Sequence, residues 1–219
     1  MPTDIELARF NMVEQQIRPW DVLDKRVLEV FFNVPRERFA PDAERAHAFA
    51  DVAVPIGHGQ TMLPPVVEGR ILQYLQVQPN ERVLEIGTGT GFFTACLASL
   101  GNSVRSVDIF PEFTERARNR LAELGFERVV LETGDAHDGW ASDERFDVIV
   151  FTGARATMPE AGLRQLNVGG RLLAITGTGA IQTVSMVTRT TESQFHTKSL
   201  FETRTAYLAG AEPKPAFSL

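Results

Sequence analysis

The stretch VLEIGTGTGFFTACLA, Val83–Ala98, decides how the rest of the chain is read. Its first residues are an apolar run of strand length, suited to burial on both faces of a sheet. The run stops at three glycines in alternate positions, Gly87, Gly89 and Gly91, before an apolar helix over Phe92–Leu100. Glycines at such a strand-to-helix turn allow a tight bend and let a ligand approach backbone N–H groups at the helix start. Alone they suit a plain turn as well as a binding site. Glu85 adds chemistry, because an acid at the end of an apolar strand is costly to bury without a donor. A cationic amino-acid head group would satisfy it, and so would a hydrogen bond to the turn itself.

Reading onward, SVRSVDI (Ser103–Ile109) is a second strand ending in Asp108, where an acid is placed to accept both hydroxyls of a ribose. The same residue would also serve as a solvated strand end or a cap for the helix starting near Pro111. A third strand, Arg128–Glu132, runs to Gly134 and Asp135. All three acids fall on the carboxyl edge of the predicted sheet, where open α/β sheets take their ligands. The spacing GTGTG differs from the GxGxxG of dinucleotide sites, and an acid at Glu85 would repel a pyrophosphate. A phosphate-free ligand with a sulfonium or ammonium group fits better, which favours S-adenosylmethionine over NAD or FAD.

Around this centre the pattern alternates. Val66–Leu75, Pro111–Leu124 and Met158–Leu166 read as helices; Arg82–Ile86, Phe146–Phe151 and Arg171–Thr176 read as strands. The order predicts an α/β fold with a doubly wound, Rossmann-like, mostly parallel sheet. Gln182–Arg189 and Glu202–Leu208 are strand-like and predict an antiparallel hairpin at the C-terminal edge. Residues 1–50 form a helical cap, with a break at Pro19, Asp21 as cap of the second helix, a stop at Pro35 and a short third helix over Pro41–Phe49. Residues 51–65, with two glycines and three prolines, are too interrupted for a long regular element and form a connector or a site-lining loop. Residues 66–219 form the cofactor-binding body, and the whole is expected to be one domain.

The composition is that of a globular protein, 43 % hydrophobic and 23 % charged, with a formal net charge of -6. No Lys or Arg block gives a footprint for nucleic acid or an anionic membrane. No apolar run approaches the ~20 residues of a membrane span, and the first residues do not read as a signal peptide. Cys96 is the single cysteine and is expected to be a small buried hydrophobe. The expected setting is the cytoplasm. No metal-ligand spacing occurs: His137 stands near Asp135 and Asp138, but there is no HxH, HExxH or cysteine pair.

Several further stretches carry a family resemblance: NMVEQQI (Asn11–Ile17), VPRERFAP (Val34–Pro41), VPIGHGQTM (Val54–Met62), GDAHDG (Gly134–Gly139), FDVIVFTGA (Phe146–Ala154) and QLNVGGRLL (Gln165–Leu173). With the glycine turn, the chain resembles the protein-L-isoaspartate O-methyltransferases over nearly its whole length. The resemblance implies a methyltransferase sheet with N-terminal helices and a final antiparallel strand. It implies methyl transfer from S-adenosyl-L-methionine to the carboxylate of L-isoaspartyl residues in damaged proteins or peptides, leaving S-adenosyl-L-homocysteine. Ester collapse to a succinimide then allows return to aspartate, which makes the reaction one of protein repair. By position, Glu85 and the turn Gly87, Thr88, Gly89 and Gly91 match the pocket for the methionine part. Asp108, with Ile109 beside it, matches the ribose site, and Gly134, Asp135 and Ala136 the adenine site. Thr61, Met62 and Leu63 match the loop closing over the cofactor, and Gln60 and Thr61, through which the resemblance runs, are expected to face the acceptor. His58, between two glycines of that loop, is read either as an acceptor contact or as a loop-bonding or solvent-exposed residue.

Departures gather on the acceptor side. The family's TISQP reads Thr61, Met62, Leu63, Pro64, Pro65 here, so Leu63 stands at the family's active-site serine. The usual GDG is GDA, the usual TAA is TGA over Thr152–Ala154, and a FVPL-like ending is replaced by TAYLAG, Thr205–Gly210. An ionised carboxylate attacks a sulfonium methyl without a strong base, so positioning and desolvation are the main demands, and no residue is assigned as catalytic base. Two other readings stay open: a methyltransferase of the same build with another acceptor, and a cofactor-binding module without catalysis. Trp140 is placed either at the adenine edge or as the anchor of a short helix. Arg155 is expected to be a solvated loop residue, His47 to lie on a surface helix and His196 in a polar turn.

Overall fold

The computed structural model describes residues 3–140 and 143–214. Its centre is a seven-stranded sheet. In chain order after a small ribbon, β1 (Val54–Gly57) and β2 (Gln60–Met62), come β3 (Arg82–Ile86), β4 (Ser103–Asp108), β5 (Val129–Thr133), β6 (Phe146–Arg155), β7 (Leu166–Thr176), β8 (Gln182–Arg189) and β9 (Phe195–Thr203). Across the sheet the order is β5-β4-β3-β6-β7-β8-β9. Strands β3 to β7 pair in parallel, and β8 and β9 pair antiparallel. The direction of winding reverses between β3 and β6, so the carboxyl ends of β3, β4 and β6 open a crevice at the switch point.

The glycine run folds as its sequence demands. Gly87 continues the β3 ladder with its N–H on the Val107 carbonyl (2.8 Å), and the chain then turns through positive φ at Gly87, Gly89 and Gly91. At Gly91 (φ 86°) a Cβ would stand 2.9 Å from the Cβ of Ala117, so only glycine lets α5 (Phe92–Leu100) start so close to α6 (Pro111–Glu123). Helix α5 is buried nearly all round, Cys96 included.

The N-terminal segment is more broken than its periodicity suggests. Helix α1 (Asp4–Asn11) opens with a capping box between Thr3 and Glu6, buries none of its residues, and runs into a π-helical turn over Met12–Ile17. Asp21 is not a helix cap: it has left-handed φ (62°) and ends a 3-10 turn, while Asp24 caps α2 (Lys25–Asn33) by accepting from Arg26 N–H at 2.9 Å. Residues Arg36–Phe39 make a single turn, α3, and the expected third helix is a 3-10 stretch, Asp42–His47, with His47 exposed. Val27, Leu28, Val30 and Phe31 of α2 join one cluster with the ribbon, α4 (Pro65–Leu75), α5 and one sheet face. The smaller cluster on the other face includes Leu84, Phe146 and Phe151, with Trp140 and Leu208 packed against it.

The C-terminal half differs from expectation at its element ends. The helix expected over Met158–Leu166 is the short α7, Glu160–Arg164, and β7 begins earlier, at Leu166. Strand β7 absorbs NVGG through a register shift against β6, with Gly169 at φ 83°. The second hairpin strand is Phe195–Thr203 rather than Glu202–Leu208, so His196 lies within β9 and not in a turn. The TAYLAG segment, Thr205–Gly210, lies beyond β9 instead. That segment runs along the end of β6, with Ala154 N–H on Ala206 O and Leu208 N–H on Ala154 O, both 2.8 Å.

Candidate functional site

The crevice at the switch point is a cavity of about 580 Å³ of empty space. Its floor is the ends of β3, β4 and β6: Ile86, Gly87 and Gly89, then Val107, Asp108 and Ile109, then Thr152 and Gly153. One wall carries Gly134, Asp135, Ala136 and His137; the opposite one carries Ile56, Gln60 and Thr61 of the ribbon, with Thr205, Ala206, Leu208 and Ala209 closing the end. Among the described residues of this lining there is no Lys or Arg. A pyrophosphate would find no cation here, whereas an uncharged sugar and base beside a cationic centre meet acids and apolar surface.

A smaller pocket of about 320 Å³ adjoins it and shares Ile56, Thr61, Gly87, Gly89 and Thr152. Its other walls are Met62, Leu63, Glu68, Thr88, Thr90, Phe92 and Phe93. The turn between the two pockets is held from below, because Thr152 donates its hydroxyl to Gly87 O at 2.6 Å. Thr88 and Ser106 hydroxyls meet at 2.6 Å behind it.

Asp108 sits where β4 ends. It accepts from Gly89 N–H (2.8 Å) through one oxygen and from Phe110 N–H (3.0 Å) through the other. Burial pushes its carboxyl above the ordinary value, against those backbone donors and the nearby His58, which favour the charged form. Ile109 beside it is exposed over the cavity mouth. Asp135 is the opposite case: His137 holds it below the usual carboxylate range through Nδ1 (2.7 Å) and the backbone N–H (3.1 Å).

Glu85 requires a correction. It is fully buried, and its side chain turns from the sheet toward α5, where the Thr94 hydroxyl donates to one oxygen. Its other oxygen makes no well-formed hydrogen bond among the described residues, and burial pushes the carboxyl up to about 8 against the Ser106 and Thr94 hydroxyls, which favour the charged form. It does not line either pocket, since a strand residue faces its layer of helices rather than the edge. Glu85 is thus a buried strut beneath the turn, tied to α5 through Thr94. Gly91 likewise serves the packing of α5 and stays out of both linings.

The segment 51–65 is a structured flap over the cavity. A turn with positive φ at Gly57, His58 and Gly59 joins β1 to β2. His58 does not face the cavity; its ring stacks on Phe110 (centroids 4.2 Å, 17°) and meets Phe113 edge-on, which fastens the ribbon tip to the start of α6. Gln60 reaches across to Tyr207 O at 3.0 Å. Thr61 lines both pockets, and its hydroxyl is buried without a hydrogen-bond partner among the described residues, an unusual state for such a group. Leu63 is buried in the core, and its carbonyl accepts from Arg36 at 2.7 Å.

Arg155 is no solvated loop residue. Only 5 % exposed, it donates to the carbonyls of His137 and Thr157 and reaches Asp138 at 3.4 Å, pinning the 135–140 loop to the end of β6. Trp140 packs its ring edge where a Gly134 Cβ would stand, and its backbone N–H donates to the Gln165 side-chain oxygen at 3.0 Å. Sequence reading missed Ile56, Phe110, Phe113 and the 205–209 stretch as lining, because long-range return of the chain leaves no local signal. No group of metal-binding side chains is found among the described residues, and no helix among them is long and apolar enough to cross a membrane.

Comparison with known proteins gives consistent results. The family model for protein-L-isoaspartate(D-aspartate) O-methyltransferase matches residues 8–212. The chain is 37 % identical to a protein-L-isoaspartate O-methyltransferase of Petrotoga mobilis over 85 % of its length and 88 % of the relative's. It is 38 % identical to a protein-L-isoaspartate O-methyltransferase 2 of Marinobacter nauticus, over 97 % of both. Among solved structures, one named protein-L-isoaspartate O-methyltransferase superposes with a TM-score of 0.80 at 23 % identity, over 93 % of this chain and 66 % of that one. A Plasmodium falciparum protein assigned to the same activity, in complex with S-adenosyl-L-homocysteine, superposes with a TM-score of 0.79 at 16 % identity, over 94 % of this chain and 99 % of that one.

Proposed function

The chain belongs to the protein-L-isoaspartate O-methyltransferase family, and from that premise we propose that it methylates the carboxylate of L-isoaspartyl residues in damaged proteins with S-adenosyl-L-methionine. The observation that carries this reading is the cavity at the switch point, with acids at two strand ends, an apolar flap and no Lys or Arg among its described lining. That donor set suits a cationic nucleoside without phosphates. The whole chain acts as one methyltransferase unit, and with its single buried Cys96 we take the cytoplasm as its place of work.

When bound, S-adenosylmethionine supplies an electrophilic methyl on a sulfonium. The residues of this chain do the rest by position. Asp108 takes the ribose hydroxyls with the lone pairs left free by Gly89 and Phe110. Asp135 and Ala136, with Ile109, flank the base. Gly87, Thr88 and Gly89 bring backbone to the methionine part, and Met62 and Leu63 cover it with apolar surface that excludes water. The acceptor carboxylate arrives ionised and needs orientation rather than deprotonation. With Leu63 in place of a serine, the hydroxyl that orients it is that of Thr61, whose oxygen lacks a partner among the described residues. Gln60 fixes the flap beside the acceptor through Tyr207 O.

Incubation of an isoaspartyl peptide with the cofactor tests the reading by mass spectrometry. A methyl ester on that peptide, absent when a Gly89→Val protein is used, supports it; an unmodified peptide with the cofactor bound would overturn it.

A further inference from the structure

Glu68 is a buried acid that the account so far leaves unused. It lies on α4, 2 % exposed, and one of its oxygens is held by Arg36, which is completely buried. Arg36 has little else to give: its Nε donates to Ala48 O (2.8 Å), its Nη2 donates to Leu63 O (2.7 Å), and its plane lies 4.6 Å over the Phe92 ring. Arg36 stays out of the wall of the smaller pocket, whereas Glu68 is part of that wall and its only ionisable side chain among the described residues. The Arg36 bond takes one Glu68 oxygen and leaves the other to the pocket. A cation entering the pocket from the large cavity therefore meets one carboxylate, set in Ile56, Met62, Leu63, Phe92 and Phe93. Glu85, which the sequence offered for that role, lies behind the turn.

We propose that Glu68 receives the α-ammonium of the methionine part of the cofactor, positioned by the Arg36 guanidinium. The inference rests on the cofactor reading above. The same pocket is suited to the other end of the zwitterion, because Phe92 and Phe93 form the first turn of α5, where N–H groups lack intrahelical partners and the helix end is positive. An amino acid is thus read at both of its charged groups, and a nucleoside without them is not.

A proton balance follows. Burial pushes Glu68 up to about 7 despite Arg36. The ionisable groups around it are Arg36, Asp51, Glu85 and Cys96. Near neutral pH the free protein holds a fraction of a proton on Glu68, and an ammonium placed against it favours the carboxylate, so that fraction passes to the buffer on binding.

The test is calorimetric titration with S-adenosyl-L-homocysteine and with its analogue in which hydrogen replaces the α-amino group. Wild type, Glu68→Gln and Glu68→Asp are compared, each at pH 7 in two buffers of different ionisation enthalpy. Wild type is expected to prefer the amino compound by about tenfold or more, the range of a charged hydrogen bond, and to release protons on binding it. Glu68→Gln is expected to lose most of that preference and the proton release, while keeping its affinity for the deaminated analogue within about threefold, which a merely damaged pocket would not do. If Glu68→Gln does not fold, Glu68→Asp, which retracts the charge, serves in its place. Equal affinity of wild type for both compounds, or an unchanged preference in the variant that folds, overturns the proposal. Failure of wild type to bind either compound overturns the cofactor reading itself.

Discussion

Asp108 and Gly89 are joined by a 2.8 Å hydrogen bond from the glycine N–H to the carboxylate, so the end of β4 fixes the turn that follows β3. The acid and the turn are thereby one device, and the ribose site proposed for Asp108 shares its carboxylate with the shape of the glycine loop. Asp108→Ala is expected to weaken binding of S-adenosyl-L-homocysteine by about 1.5–3 kcal/mol, the worth of hydrogen bonds to a charged group. Titration calorimetry reads this directly, and an unchanged Kd would remove the ribose assignment.

The hydroxyl of Thr61 is buried without a partner among the described residues, and Leu63 nearby is buried and apolar. Thr61→Val, close to isosteric, is expected to lower methyl transfer about tenfold or more with little change in melting temperature. Thr61→Ser should retain most of the rate. Leu63→Ser acts differently: it puts a hydroxyl in the core and is expected to cost about 2–4 kcal/mol of stability by urea unfolding.

Glu85 and Glu68 titrate at about 8 and about 7 in the folded chain, both raised by burial from 4.5. Between pH 4.5 and 8 these two groups therefore hold more protons in the folded state than in the unfolded state, and their contribution to stability falls as pH rises through that window. Glu85→Gln removes one source of the slope. Chemical unfolding at pH 5.5 and pH 8 should show a smaller loss of stability for the variant than for wild type; equal losses would mean that Glu85 ionises at an ordinary pH.

Arg155 holds the 135–140 loop by its bonds to His137 O, Thr157 O and Asp138. Arg155→Met leaves those carbonyls without a donor, and about 2–4 kcal/mol of stability is expected to go with them. Urea denaturation measures that loss, and a change below 0.5 kcal/mol, roughly the size of an ordinary surface substitution, would show the contacts to be idle.

Much of this was legible along the chain. The run from β3 through α5 follows from apolar strand, glycines and apolar helix, and its boundaries needed only local chemistry. Asp108, Gly134, Asp135 and Ala136 could be put at the sheet edge for the same reason, since strand ends in a parallel sheet share one side. Glu85 could not be resolved from sequence, because period-two alternation decides which layer a strand side chain meets, and its partner Thr94 lies a turn into the next helix. Arg155 and Glu68 look like ordinary surface charges in a linear reading. Only the fold shows that the first is wrapped by carbonyls and the second closed in by Arg36. The C-terminal edge misled for a related reason: the apolar residues of TAYLAG serve the cavity and the end of β6, while β9 is mostly exposed and polar.

The most direct measurement is transfer of a labelled methyl from S-adenosyl-L-methionine to an isoaspartyl peptide and to its aspartyl twin, side by side. The account predicts base-labile label on the isoaspartyl peptide and background on the twin. Equal labelling of both, or none on either while the cofactor binds, would contradict it.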